Sequence, residues 1–441
     1  MGLDPLTLGS LIRQRRKELG LTLNDLSTDT ISIPTISNIE RGITGSLTNE
    51  KVAYIREQLG LTDKMVEQMM QKTEAANDRF ECRLSTIRHL AELKLYDDAQ
   101  KVVQELESDP QLVEYPLYAT TMHLLKGIVL RKQKQWARAT EVFEQVLQQI
   151  EESDLDPSAN LAAEAYYNLS IATFYGEQNF DKAIECADLA IDTYSEGGKH
   201  PQLRGRILYH KAVCFFHMEQ YGQAYRYTMA ARKANKPTAD MRTLLLTYNL
   251  EGILHKQQQL LDQSLKVFRK AIELSHMYYN DPWLSSVLYH NLSQTYKHDK
   301  AYGRALQSLD IAYKLCRQTD DEHQRALLYF SYAQVYYEKG ELEQATAYTD
   351  RATELAQKVK LTSDYLEILL LKAQIALDNK SDDVQTICEE GIQLAEKSKL
   401  FKKQKQFHLI LATYYNRTSN RDAFQQETKR IFNVESLIRS S

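Results

Sequence analysis

Residues 247–268 read Thr-Tyr-Asn-Leu-Glu-Gly-Ile-Leu-His-Lys-Gln-Gln-Gln-Leu-Leu-Asp-Gln-Ser-Leu-Lys-Val-Phe. A small residue, Gly252, stands in the middle of one helical stretch. A second, Ser264, stands early in the next, and Phe268 follows four residues later. Small residues so placed let two antiparallel helices approach closely, and large side chains fill the gaps between them. The arrangement recurs as Gly127 with Ala139, Ser170 with Ala183, Ala212 with Ala224, Ser293 with Ala305, and Ala333 with Ala345. Weaker copies surround Ala99, Ala373 and Ala412, and successive first members lie 39–43 residues apart. Self-similarity at a steady period of this size is the mark of a helical repeat array. An aromatic residue often precedes the second small residue by three, as at Tyr96, Trp136, Phe180, Tyr221 and Tyr302. A large apolar residue follows by four at Phe143, Phe268 and Leu309.

Composition agrees with an all-α chain. Among 441 residues there are 16 Gly and 8 Pro, less than half the usual share of about 12%. So few breakers exclude collagen-like, disordered and all-β chains. Tyr is abundant at 27, against 12 Phe and 2 Trp. The net charge of −4 carries no bulk signal for nucleic acid or membrane, so any DNA contact rests on a local motif. Cys82, Cys186, Cys214, Cys316 and Cys388 are odd in number and far apart, which fits reduced thiols and a cytoplasmic setting. The opening residues lack a leader pattern, and no apolar run nears a membrane span. Neither a membrane partner nor a cofactor is expected.

The first seventy residues read differently. Leu8 to Leu19 has helical apolar spacing and stops at Gly20. Thr22 with Asp25 forms a capping-box pattern before an expected short helix, Leu23 to Thr28. Ser32 is placed to cap a third helix, Ile33 to Arg41, by accepting from the Thr35 amide. Pro34 then falls in the first turn, where its missing N–H costs nothing. Gly42 ends that helix, and two more are expected near Asn49 to Leu59 and Asp63 to about Asn77. The result is a helix-turn-helix within five helices.

Through Gly20-Leu21-Thr22 and Ile36-Ser37-Asn38-Ile39-Glu40-Arg41-Gly42, residues 6–61 resemble the XRE (Cro/phage-repressor-like) family. The resemblance implies a structural ion pair between Arg16 and Glu40. It also makes Ile33 to Arg41 the recognition helix, entering the major groove with its first residues and outward face. The candidate DNA contacts are Thr22, Ser32, Ile33, Pro34, Thr35, Ser37, Asn38 and Arg41. Asn38 can pair bidentately with adenine, and Thr35 or Ile33 can touch a thymine methyl. Thr22, Ser37 and Arg41 suit phosphates, as does the start of the second helix. Ile33-Pro34 stands where relatives often carry polar readers. Residues 1–45 hold five basic and five acidic side chains, so firm binding calls for a dimer.

The repeats resemble the tetratricopeptide repeat. Their period exceeds its usual 34 residues, so longer helices and about nine helix pairs are expected. The resemblance implies a right-handed superhelix whose concave face is lined by the first helix of each pair. Asn168 and Asn249 share one repeat position, filled by Tyr209 and His290 in the repeats between and after, with Asn291 one residue on. A turn further come Arg131, Tyr175, Phe216, Lys256 and Lys297, with Gln294 and Gln334 nearby. A carboxamide has an acceptor and two donors, so spaced Asn residues can hold a peptide main chain. Aromatic and basic neighbours would add sequence preference and bind a carboxylate. Capping or inter-repeat bonds are the plainer use of the same groups.

No P-loop, GxSxG, HExxH or Gly-rich dinucleotide turn occurs, so no catalytic residue or metal ligand is named. His200, His276 and His323 fall near helix ends, while His210, His217 and His290 could line the groove. Met65, Met69 and Met70 form a stripe expected to pack on the repeats or on a dimer mate.

Together, the two parts resemble the RRNPP family of peptide-pheromone receptors, its NprR-like members most in length and repeat number. The resemblance implies residues 1–70 for DNA, 71–80 as a linker helix, and 81–441 for peptide binding and dimerisation. Asn168, Asn249 and Asn291 would clamp a short signalling peptide, and a homodimer or higher oligomer would bind operator DNA. Two alternatives stay open. One is docking and dephosphorylation of a response regulator through a Gln or Glu among Gln68, Gln71, Glu74 and Gln100. The other is a protein-binding scaffold.

Overall fold

In the computed structural model the small-residue pairs sit where helices touch, and residues 5–43, 50–153, 155–235, 240–359 and 362–440 are described. These residues form 21 α-helices and no strand beyond an isolated Thr28–Ile31 bridge. The chain divides into two units, Met1–Asp156 and Pro157–Ser441. The first holds α1 (Pro5–Glu18), α2 (Ile33–Glu40), α3 (Glu50–Gln58), α4 (Asp63–Glu92), α5 (Tyr96–Glu107), α6 (Pro116–Lys132) and α7 (Trp136–Glu152). The second begins with the pairs α8 (Leu161–Gly176) and α9 (Phe180–Asp192), and α10 (Leu203–His217) and α11 (Tyr221–Asn235). It continues with α12 (Met241–Gln257) and α13 (Leu261–Tyr278), then α14 (Pro282–His298) and α15 (Tyr302–Cys316). The last pairs are α16 (Glu322–Glu338) and α17 (Leu342–Lys358), α18 (Thr362–Asp378) and α19 (Val384–Lys397), and α20 (Phe401–Arg417) and α21 (Arg421–Ser440).

The repeat aromatics Tyr96, Trp136, Phe180, Tyr221 and Tyr302 are each the first residue of a second helix. The turn before them is stereotyped. Two residues upstream the backbone turns left-handed, at Lys94, Lys134, Gln178, Glu219 and Lys300, all with φ between 53° and 62°. In the 130s turn the Lys134 amide donates to Arg131 O at 2.9 Å and the Gln135 amide to Leu130 O at 3.0 Å. These two bonds close a Schellman motif and satisfy carbonyls that the helix end leaves open. One of these turns uses glycine, Gly340 at φ 81°.

Packing explains the small residues. A Cβ on Gly127 would lie 2.5 Å from the Phe143 ring, and one on Gly252 would lie 2.6 Å from Phe268. Ala139, Ala183, Ala212, Ala224, Ala305, Ala333 and Ala345 are fully buried. Ser264 donates its hydroxyl to Gly252 O at 2.8 Å, so its polar group is satisfied inside the contact. α12 and α13 run 17 and 18 residues, which accommodates the long period.

The helix-turn-helix segment departs from expectation in three places. Leu23 to Thr28 is a turn instead of a helix. The Thr22–Asp25 capping bonds form, at 2.7 Å from the Thr22 amide and 3.3 Å from the Asp25 amide. Beyond them, Ser27 donates to Asn24 O at 2.7 Å, and the Thr28–Ile31 bridge closes the chain back on itself. Short polar side chains here compete with the helical ladder. Ser32 makes no side-chain cap, because its hydroxyl pairs with the Thr35 hydroxyl at 2.9 Å. The helix beginning at Asp63 continues to Glu92, so residues 71–80 are its middle. Four helices, not five, therefore frame this segment among the described residues.

Along α4 the apolar face serves two cores. Val66, Met69 and Met70 pack with Leu8, Ile12, Ile36 and Ile55. Met69 and Met70 of the methionine stripe thus turn toward the helix-turn-helix core rather than the repeats. Further on, Phe80 meets the rings of Tyr115 and Tyr118 at 5.3 and 5.5 Å.

Candidate functional site

The candidate recognition helix, α2, is positioned by three buried side chains, Ile36, Ile39 and Glu40. Glu40 forms a two-pronged pair with Arg16, at 2.6 Å from Nε and 3.0 Å from Nη2. Arg16 Nη1 also donates to Leu21 O at 2.7 Å, which ties α1 to the turn. The expected ion pair is present, and the Glu40 carboxylate holds the guanidinium above its ordinary range. Gly9 belongs to the same joint. A Cβ there would meet Ile39 O at 2.4 Å, so α1 and the end of α2 touch backbone to backbone. The sequence reading missed Gly9, although a glycine inside a helical pattern is a signal for close approach.

Ile33, Pro34 and Arg41 are exposed, and Thr35, Ser37 and Asn38 are half-buried. Arg41 folds along the helix, donating to Asn38 Oδ1 at 2.8 Å and Ser37 O at 3.3 Å. Asn38 is therefore aimed by Arg41. Thr22 and Ser32 are exposed as well. Thr22 donates its hydroxyl to Asp25 at 2.7 Å, and that bond lowers the Asp25 carboxyl below its usual range. A carboxylate beside Thr22 opposes a phosphate there. The helix start once expected to share that contact is absent.

In the second unit, α12, α14 and α16 bring polar groups together. Asn291 donates its amide to Asn249 Oδ1 at 2.8 Å, joining two repeats. His290 Nε2 and the Gln294 amide both reach Ser331 Oγ, at 2.7 and 2.6 Å. Lys297 donates to Gln334 at 2.8 Å, with Glu338 at 3.8 Å. Burial pushes Lys256 down to about 8, and the neighbouring Lys297 adds to the effect. Lys297 is lowered by its own burial, against the pull of Glu338. Burial, then Lys256 and Lys297, push His290 down to about 3, so it is neutral at pH 7. Ser331 had not been singled out, though its place two residues before Ala333 matches Asn291 before Ser293.

The remaining candidates do not join this cluster. Asn168 is buried and donates to Glu164 O of its own helix at 2.7 Å, a bond back to the preceding turn of α8. Tyr175 is exposed, its ring edge-on to Phe174 with the centroids 4.8 Å apart. Burial raises the Tyr209 phenol, with Tyr175 and Tyr167 contributing. Phe216 packs near Tyr221 at 5.8 Å. Arg131 lies in the other unit, half-buried in the last turn of α6. His210 is buried edge-on between Tyr167 and Phe174, so it belongs to the aromatic packing rather than the groove lining. His217 leans on Phe174 at 5.1 Å.

A helix-turn-helix family model matches residues 12–53. Tetratricopeptide-repeat models match residues 117–196 and 326–359. No curated protein sequence matches the chain. Among solved structures, the apo form of the quorum sensor NprR from B. thuringiensis has a TM-score of 0.62 at 13% identity, covering 82% of this chain and 99% of that one. The apo form of RapI has a TM-score of 0.61 at 14% identity, with the same coverages. NprR in complex with its cognate peptide NprX has a TM-score of 0.50 at 13% identity, covering 75% and 98%. No helix among the described residues is long and apolar enough to cross a membrane. In its fold, and in joining a helix-turn-helix to tetratricopeptide repeats, the chain resembles the RRNPP-type receptors.

Proposed function

We propose that the chain is a peptide-responsive transcriptional regulator that works in the cytoplasm. Residues 1–70 hold operator DNA, residues 71–80 link, and residues 81–441 bind a short peptide and a second copy of the chain. The observation that carries this reading is the amide pair Asn249–Asn291 beside Lys256 and Lys297, in a chain that also has a recognition helix. Amides offer both a donor and an acceptor to a peptide backbone, and the lysines supply charge. The NprR structure with its cognate peptide has the same fold. Two recognition helices of a dimer would read major grooves about 34 Å apart. The near-neutral charge of the module favours that arrangement, since one copy gains little from phosphates. A peptide then acts only through its differential affinity for two states of the receptor.

The test is selection of duplexes from a random-sequence pool by the full chain, followed by mobility shift with and without short peptides. Enriched two-fold-symmetric sites whose retention changes with peptide support the reading. Loss of the peptide effect in Asn249→Ala ties it to the groove. No enriched sequence would overturn it. A second reading, docking of a response regulator, draws on the exposure of Gln68, Gln71 and Glu74 along α4. Gln100 is tied to Gln133 at 2.8 Å and is less available. Peptide-independent loss of phosphate from a phosphorylated receiver domain would favour that role.

A further inference from the structure

The first helices of the repeat pairs keep one register while their chemistry changes. Three and two residues before the central small residue stand Asn249 and Leu250 in α12, then His290 and Asn291 in α14. The same two places hold Phe330 and Ser331 in α16, Leu370 and Leu371 in α18, and Leu409 and Ile410 in α20. Phe330, Leu370, Leu371, Leu409 and Ile410 line a cavity of about 400 Å³. Leu409 there is 46% exposed, a large apolar side chain left in water. Gln334 lines the same cavity and accepts from Lys297 at 2.8 Å, so the cationic cluster and the apolar cavity adjoin.

The cationic end is incompletely neutralised. Lys297 is buried, with Glu338 at 3.8 Å as its nearest carboxylate. The Lys256 ammonium has no hydrogen-bond or ion-pair partner among the described residues; Lys256 follows Gly252 by four residues as Lys297 follows Ser293, on the neighbouring helices α12 and α14. His290 and His298 feel both lysines and add no negative charge. Two like charges held close in a partly buried site are costly unless an anion joins them. In the apolar cavity, Glu367 is already paired with Lys403, so that end offers hydrophobic surface and amides.

We propose that the groove takes a short peptide by two unlike features, a carboxylate held between Lys256 and Lys297 and a bulky apolar side chain seated against Leu370, Leu371 and Leu409. This rests on the receptor reading above and specifies its ligand. α14, α16 and α18 are successive neighbours. At 8–10 Å per step the axes of α14 and α18 are about 16–20 Å apart, a span that roughly five or six residues of extended chain cover.

An equimolar hexapeptide library with free C-terminal acids, and its amidated twin, are incubated with the full chain. Retained peptides are identified by mass spectrometry. The acid library is retained roughly tenfold better, with Leu, Ile, Met or Phe enriched at one position away from the terminus. Amidated peptides retained with one enriched Asp or Glu would place the carboxylate on a side chain and equally support the site. Lys256→Gln and Lys297→Gln remove the carboxylate preference and keep the apolar one, while Leu371→Gln does the reverse. Peptides retained without regard to a carboxylate, or unchanged in the lysine variants, overturn this inference alone. Retention of no peptide overturns the receptor reading with it.

Discussion

The recognition helix and the repeat groove meet solvent in opposite ways. In α2 the groups that would touch DNA are exposed or half-exposed, and burial is confined to Ile36, Ile39 and Glu40 behind them. In the groove the polar groups are themselves half-buried or buried and bonded to one another across repeats. DNA brings its own charge and regular shape, so a small exposed face on a rigid support is sufficient. A short peptide brings little, and a site that is preorganised and partly dry repays the ordering cost. Single substitutions should therefore strip one region while leaving the other working.

The largest effect is expected at the joint behind the recognition helix. Arg16→Ala leaves Glu40 buried and unpaired, a loss of about 3–5 kcal/mol. Hydrogen exchange should show residues 5–43 opening and DNA retention lost, with peptide binding intact. Equal protection in the variant would mean that the pair does not support the helix. In the second unit, Gly252→Ala drives a Cβ to 2.6 Å from the Phe268 ring. Overpacking of about 1–3 kcal/mol outweighs the helix propensity gained, and Phe268→Leu should restore much of the melting temperature. If the single variant melts as the native chain does, the close helix contact is wrong.

Asn291→Ala removes the donor to Asn249 and leaves a buried acceptor, a cost of about 1–2 kcal/mol with weaker peptide binding. Stability loss with unchanged peptide affinity would make the pair an inter-repeat bond only. pH sharpens the same contrast. Burial holds Lys256 down to about 8, and a bound carboxylate favours its charged form. Affinity for a retained peptide should hold below about pH 8 and weaken as pH rises past it, by at most tenfold per unit. Lys297, lowered by its own burial, acts in the same direction, while His290 stays neutral throughout. Calorimetric titration between pH 6.5 and 9.5 reads this (a range chosen to bracket roughly one unit or more on each side of the lysine). A flat profile would remove Lys256 from the contact. The smallest effect lies in the turns. Gln259 has φ 61°, so Gln259→Gly should stabilise by roughly 0.5 kcal/mol, and Gly340→Gln should destabilise by a similar amount.

The repeat architecture was legible because it rests on local composition repeated many times. Gly127, Gly252 and the buried alanines declare helix contacts by size alone, and Tyr96, Trp136 and Tyr302 mark helix starts. The Arg16–Glu40 pair was legible only through a family pattern, since nothing in the spacing of two residues 24 apart requires them to meet. The turn at Leu23 to Thr28 was not legible. Its apolar spacing suits a helix, but side-chain bonds from Ser27 and the Thr28–Ile31 bridge offer the backbone an alternative.

By itself, then, the sequence determined which segments of the repeat region are helices, where they pair, and which residue types line the first helices. Those are consequences of side-chain size and period, which act over a few residues. Only the tertiary structure decided what each polar group does. Asn168 and Asn291 each stand two residues before the central small residue of their helix, yet one bonds back to Glu164 O of its own helix and the other reaches Asn249 in the neighbouring repeat. Lys256 and Lys297 are 41 positions apart in the chain and become a pair because stacked helices bring equal registers together. Whether an amide or an ammonium is spent on its own helix depends on neighbours distant in sequence, and period alone does not carry that information.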